Sequence, residues 1–315
     1  MPTTNPTTEK KTGLVWDERY LLHDTGLFHP ERPERLNAIK QILKDDRSYE
    51  WITPRIASID EIAWVHTKDH IDEVLKCDGI SQHFFDGDTP AGPHSTEAAF
   101  LAAGGLMKAV QEVEEGKIKN AFVFPRPPGH HAESDHAMGF CIFNNVAIAA
   151  QYLIKQKNKK RIVIMDFDVH HGNGTQHFFY ERSDVFYLST HRFPFYPGTG
   201  SGDETGVGEG MGTTLNVPLD AYADDEDYRA SFENQIIPAI DHYKPDFILV
   251  SAGYDAHIRD PLGGMKVTKE GFFMMSQSLS ELAKKHCGGK IVYVLEGGYD
   301  LKGLQEGVSA TLESL

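Results

Sequence analysis

The sequence predicts an α/β protein in three layers, a parallel sheet sandwiched between two sets of helices, and three observations carry this. Short β-rich apolar runs alternate with helical stretches from residue 121 onward. The runs are apolar throughout, as strands are when both faces of a parallel sheet are covered. Each run leads at once into unusual polar sequence, as in open sheets whose ligand crevice lies beyond the carboxyl ends of the strands.

Taken in order, the first dozen residues are rich in Thr and Pro, so 1–12 are expected to be a disordered tail. Residues 13–315 are expected to form a single domain, long enough to bury a large core. Leu36, Ile39 and Leu43 recur at helical spacing behind Pro33, which suits a first helical turn. A second helix is expected from Thr96 to Val113, capped by Ser95 or Thr96. The expected strands are Ala121 to Phe124, Arg161 to Phe167, Val185 to Leu188, Phe247 to Val250 and Lys290 to Leu295. The segments that follow them are RPPGHHAE, DFDVHHGNG, STHRFPFYPGTG, SAGYDAHIRDPLGG and EGGYD. They should converge on one site, and a split into two domains would part them.

Composition narrows the function classes. With 46 acidic against 31 basic residues and a net charge of -15, a nucleic-acid surface is disfavoured. The one basic run, Lys155 to Arg161, reads as a solvated helix end before a strand. An acidic surface suits cationic substrates such as Lys-rich tails or polyamines. No apolar run approaches the roughly 20 residues that span a bilayer, and the N-terminus lacks a signal-peptide stretch. The expected location is cytoplasmic, without a membrane partner. Cys77, Cys141 and Cys287 are odd in number and widely spaced, which argues against a disulfide framework.

The chemistry gathers at the expected strand ends. Asp166, Asp168 and His170 alternate at period two and can point the same way, offering a carboxylate and an imidazole to a metal. Asp260, on another loop, can complete a third ligand and leave the fourth position of a tetrahedral zinc open, as in catalytic sites. His130 and His131, behind Pro127, Pro128 and Gly129, offer a general base and a general acid. Tyr299, after Gly297 and Gly298, can donate to an oxyanion. The Gly-rich stretch Gly198 to Gly212 lacks the GxxxxGK pattern of a phosphate cradle and reads as a surface loop.

Together, RPPGHHA, GFCIFNN, DFDVHHGNGTQ, FYPGTG, AGYDAHIRDPLGG and EGGYD resemble the histone deacetylase and acetylpolyamine amidohydrolase superfamily. The early HPERPERL resembles its class II branch, and the match runs from about Asp24 to the C-terminus. The resemblance implies an arginase-like fold with eight parallel strands, and zinc on Asp168, His170 and Asp260. It implies that Asp166 orients His130, and that Asn173 stands by His131 where many relatives carry an acid. It also implies a structural monovalent cation, K+, at Asp166, Asp168, His170 and Ser189, and a substrate channel walled by Gly139, Phe140 and Tyr196.

The implied activity is deacetylation of lysine side chains or related amines by metal-activated water. His131 would take the water proton, His130 would stabilise charge, and Tyr299 would bind the oxyanion. Alternatives are an acetylpolyamine amidohydrolase, an arginase-like ureohydrolase and a silent acyl-lysine binding module. The ureohydrolase needs a DxHxD pattern, which Gly172 breaks; the silent module should have lost a ligand, a tandem histidine or Tyr299. Val267 is aliphatic where some polyamine enzymes carry a gating Glu, although Asp86 and Asp88 could serve. A homo-oligomer could narrow the pocket toward small substrates.

Overall fold

A computed structural model describes residues 10–43 and 48–315 of the chain. Most of the expected tail, residues 1–9, lies outside the described residues. At its end, the main-chain oxygen of Lys11 accepts from Lys119 and that of Thr12 from Glu50, so these two residues lead into the first strand between its two neighbours.

The described residues form ten strands: β1 (Gly13–Val15), β2 (Glu50–Ile52), β3 (His83–Phe84), β4 (Pro90–Ala91), β5 (Ala121–Val123), β6 (Ile162–Asp166), β7 (Val185–Arg192), β8 (Thr214–Leu219), β9 (Phe247–Ala252) and β10 (Ile291–Leu295). Eight form one sheet in the order β2-β1-β5-β10-β9-β6-β7-β8, and β3 pairs with β4 in a small antiparallel ribbon. Every pairing in the large sheet is parallel.

Period two divides each strand between two cores. Val163 and Met165 face one, together with Leu36, Phe272, Leu279 and Leu304 from helices at Glu34–Leu43, Lys269–Cys287 and Leu301–Glu313. Ile162 and Ile164 face the other, against Leu106, Val110 and Val146 from helices at Ser95–Glu114 and Asn145–Lys157. All four strand residues are fully buried. Each contributes about 1.5–3 kcal/mol by leaving water, which is why the central strands read as unbroken apolar runs.

The five expected strands and both expected helices are present, with ends shifted by one or two residues except at β7, which runs on to Arg192. Three strands of the large sheet carried no signal, and neither did the short β3–β4 ribbon. β1 and β2 have three residues each, too few to show a period, and β8 is an edge strand interrupted by Pro218, tolerated there because one side needs no partner. The helix cap also differs. His94 occupies the cap position without a side-chain bond, while Ser95 Oγ accepts from the Gly92 N–H and pairs with His23. Among the described residues no helix is long and apolar enough to cross a membrane.

Candidate active site

Because all eight strands run the same way, the segments after β5, β6, β7, β9 and β10 open on the same edge of the sheet. β5 leads through Pro125 to Pro128 into the two histidines, and Gly129 and His130 donate their N–H groups to Glu296 Oε2 beyond β10, at 2.7 and 3.2 Å. His130 Nδ1 then meets Asp166 Oδ2 at 2.9 Å, and His131 Nδ1 meets Asn173 Oδ1 at 2.8 Å. Both expected pairings are thus brought together. The rings lie 4.0 Å apart, yet their surroundings drive them in opposite directions. Burial opposes a charge on His130, but Asp166, Asp168 and Glu296 outweigh it and lift the ring to about 10. Burial, reinforced by the positive charge of His130 and His170, holds His131 well below the usual histidine range.

A cluster suited to a metal forms at Asp168, His170 and Asp255, whose ligand atoms lie within 4.8 Å of one another. His170 Nδ1 stands 3.1 Å from both Asp168 Oδ1 and Asp255 Oδ2. Burial and then the charge of Asp168 push Asp255 up to about 7, so two sequestered carboxylates share a space that favours a cation. Two carboxylate oxygens and one imidazole nitrogen, with further positions left open, are the donors of a catalytic zinc site. The surrounding main chain is fitted to them: a Cβ on Gly297 would lie 2.2 Å from Asp255 Oδ2 and 2.6 Å from Asp168 Oδ2.

Asp260, expected as the third ligand, is not in this cluster. Its Oδ1 accepts from the N–H groups of Leu262 and Gly263, and its Oδ2 from those of Tyr299 (2.7 Å) and Asp300 (3.2 Å). The carboxylate is spent on four main-chain donors and ties two loops together. Asp255 and Asp260 share one loop, and spacing alone could not choose between them; the GYD sequence directly after β9 was the available signal. Ser189 is the register partner of Asp166, and its hydroxyl pairs with His191. The DxHxD alternative is closed by packing, because a Cβ at Gly172 would meet Asp166 Oδ2 at 2.2 Å.

Above the cluster opens a cavity of about 200 Å³ lined by Asp88, His131, Gly139, Phe140, His170, Phe195, Tyr196, Leu262 and Tyr299. The three expected channel residues are all there. Gly139 has φ 56° and must be glycine, since a Cβ would press on the His131 ring at 2.6 Å. Phe140, at φ 69°, is turned into the channel and held by Thr89 Oγ1, which accepts its N–H at 3.1 Å. Phe195 and Leu262 were not foreseen; Phe195 stacks on His170 at 5.3 Å, and its place in FPFYPG was the only signal. Val267 is fully buried in the core, so it reports nothing about a gate. Nor is the Gly-rich stretch all surface: Gly200 is wedged against His171 and His191.

Two residues of the HPERPERL segment, Glu31 and Arg35, prove to be buried supports of the Tyr299 loop. Arg126 Nε and Nη2 bind the Glu31 carboxylate at 2.5 and 2.8 Å, and Arg35 Nη1 joins it at 3.1 Å. Burial would raise Glu31, but Arg126 and Arg35 prevail and hold it down at about 2. Arg35 also donates to the main-chain oxygens of Gly298 and Glu296, at 2.7 and 2.5 Å, beneath the Tyr299 ring.

A family model described as a histone deacetylase domain matches residues 29–315. The chain belongs to the histone deacetylase family. It is 40% identical over 297 residues to a "Probable deacetylase" of Archaeoglobus fulgidus, covering 93% of this chain and 82% of that protein. It is also 40% identical to "Histone deacetylase 15" of Arabidopsis thaliana, across 96% of this chain but only 56% of the plant protein. The crystal structure of the HDA15 HD domain superposes with a TM-score of 0.92 at 40% identity, covering 96% of this chain and 87% of that one. The family resemblance and the arginase-like eight-stranded fold both hold.

Proposed function

We propose that this deacetylase-family chain hydrolyses the amide of acetylated lysine side chains in peptides or proteins. The observation that carries the reading is one cavity whose walls join His170 of the three-donor metal cluster to His131 and Tyr299, with the oppositely tuned His130 packed beside His131. Asp168, His170 and Asp255 would hold zinc, which would polarise the acetyl carbonyl and the attacking water.

The side chains divide the remaining work. Phe140 and Tyr196 grip the aliphatic stem and exclude water from it. His131, uncharged and bonded through Nδ1 to Asn173, takes the water proton on Nε2 and then delivers it to the leaving amine. His130, kept charged by Asp166, stabilises the negative charge that builds on the substrate. The Tyr299 hydroxyl donates to the carbonyl oxygen as it gains charge. A monovalent cation at Asp166, Asp168, His170 and Ser189 is supported only by Asp166 and Ser189 facing each other in register. All three cysteines are free, which supports a reducing compartment such as the cytoplasm.

A second reading, hydrolysis of small acetylated polyamines, is favoured by Asp88, which lines the cavity with Asp86 beside it and would attract a distal ammonium. Turnover of an acetyl-lysine peptide and of acetylputrescine by the zinc-loaded protein, with a Tyr299→Phe control, separates them. Faster peptide turnover, reduced roughly 10²- to 10³-fold in the control, is expected. Preference for acetylputrescine moves the assignment to the second reading, and no turnover of either overturns both.

A further inference from the structure

His131 is held by an amide, and an amide can be turned either way. With the Asn173 oxygen toward the ring, Nδ1 must carry the proton and Nε2 keeps its lone pair. With the amide nitrogen toward the ring, the proton sits on Nε2 and the ring cannot act as a base from that atom. The choice between these states is made one layer outside His131.

Asn173 Nδ2 is surrounded by acceptors: Glu133 Oε1 at 2.5 Å, the main-chain oxygen of His131 at 3.3 Å and Met138 Sδ at 3.3 Å. None of these can donate. A reversed amide would set its oxygen against all three and leave its nitrogen facing a ring. Glu133 supplies the short, charge-assisted bond of the set. It is itself fixed in place, since its N–H donates to the His136 oxygen and its own oxygen accepts from His66 Nδ1. Its carboxylate also accepts from His177 Nδ1 at 2.8 Å. Asn173 and His177 stand four residues apart on the helix Asn173–Phe179, so one helix face presents both groups to Glu133.

We propose that Glu133 is a positioning residue for the reaction: it holds the Asn173 amide with its oxygen toward His131, and so fixes His131 with the proton on Nδ1 and Nε2 free. The negative charge that an acid beside the ring would supply directly is placed one residue further out, with the amide between. This rests on the reading of His131 as the base.

The test uses zinc-loaded protein labelled with ¹⁵N-histidine, in which the His131 nitrogen shifts report the tautomer, with deacetylation kinetics alongside. Wild type should carry the proton on Nδ1. Glu133→Leu removes the acceptor, and should give a mixed tautomer and a kcat lowered roughly 10- to 100-fold, with KM unchanged. Glu133→Gln keeps an acceptor oxygen and should restore most of kcat and the Nδ1 proton. Glu133→Ser replaces the leucine variant if that fails to fold. A wild-type proton on Nε2, or a folded Leu or Ser variant with unchanged tautomer and kcat, overturns the proposal. If wild type turns over no acetamide, the functional reading fails, while the nitrogen shifts still decide the role of Glu133.

Discussion

His130 and His131 are adjacent in the chain, yet they stand in two regions of the site with opposite character. On the His130 side the surroundings are anionic and closed: Asp166 faces the ring, Glu296 binds its N–H, and Asp168 lies behind. On the His131 side the partner is a neutral amide, and the chain of contacts runs through Glu133 to the exposed His177. One ring is therefore held charged and the other uncharged in a shared loop. Asp255 and Asp260 repeat the lesson, one facing a carboxylate and an imidazole, the other enclosed by main-chain N–H groups. Proximity in sequence does not give two like side chains the same chemistry; the donors and charges around them do.

The largest effect separates the two aspartates. Asp255→Asn should leave the protein without stoichiometric zinc by elemental analysis and abolish turnover. Asp260→Asn should retain zinc and lose roughly 10- to 100-fold in kcat, because the Tyr299 and Leu262 loops loosen. Equal zinc loss in both would return Asp260 to the ligand set.

Next in size, His131→Gln should lower kcat roughly 10²- to 10⁴-fold, as loss of a general base does. His130→Gln should lower it less, since it removes charge and no proton acceptor. Equal losses in steady-state kinetics would erase the contrast between the two rings.

A smaller change converts one region into the other. Asn173→Asp in a Glu133→Gln background places a carboxylate against His131 and should raise its pKa. The acidic limb of the kcat/KM profile should then move to higher pH, and an unmoved limb would show that His131 does not titrate as the base.

The smallest effect is on stability. In metal-free protein His130 is raised from 6.5 to about 10, so its pairing contributes fully below pH 6.5 and is lost as pH rises through about 10. The melting temperature of wild type should fall across that window more than that of Asp166→Asn. Parallel curves would mean that the pair is not ionic.

Much of the fold was legible because buried parallel strands cannot hide. β6, β9 and β10 have no solvent face, so their sequences carry no polar alternation, and the polar loops after them stand out by contrast. β1 and β2 were illegible because three residues show no period, and edge strand β8 because half of it meets solvent. In the site, His130, His131, Asp168, His170 and Tyr299 could be read from residue type and position. Spacing alone did not separate Asp255 from Asp260, and Glu133 and Arg35 could not be connected to the residues they hold.

By itself, then, the sequence determined the α/β class, the strand ends that carry the chemistry and most of the side chains found there, because these follow from local periodicity and motif. Which aspartate faces the metal donors, which histidine is charged, and which way the Asn173 amide is turned were decided only by tertiary structure. Those choices depend on groups 36 to 87 residues away in the chain, such as Asp166 from His130, Glu133 from Asn173 and Asp168 from Asp255. Electrostatic and hydrogen-bond preferences act through space at a few ångströms, and only the folded chain sets those distances.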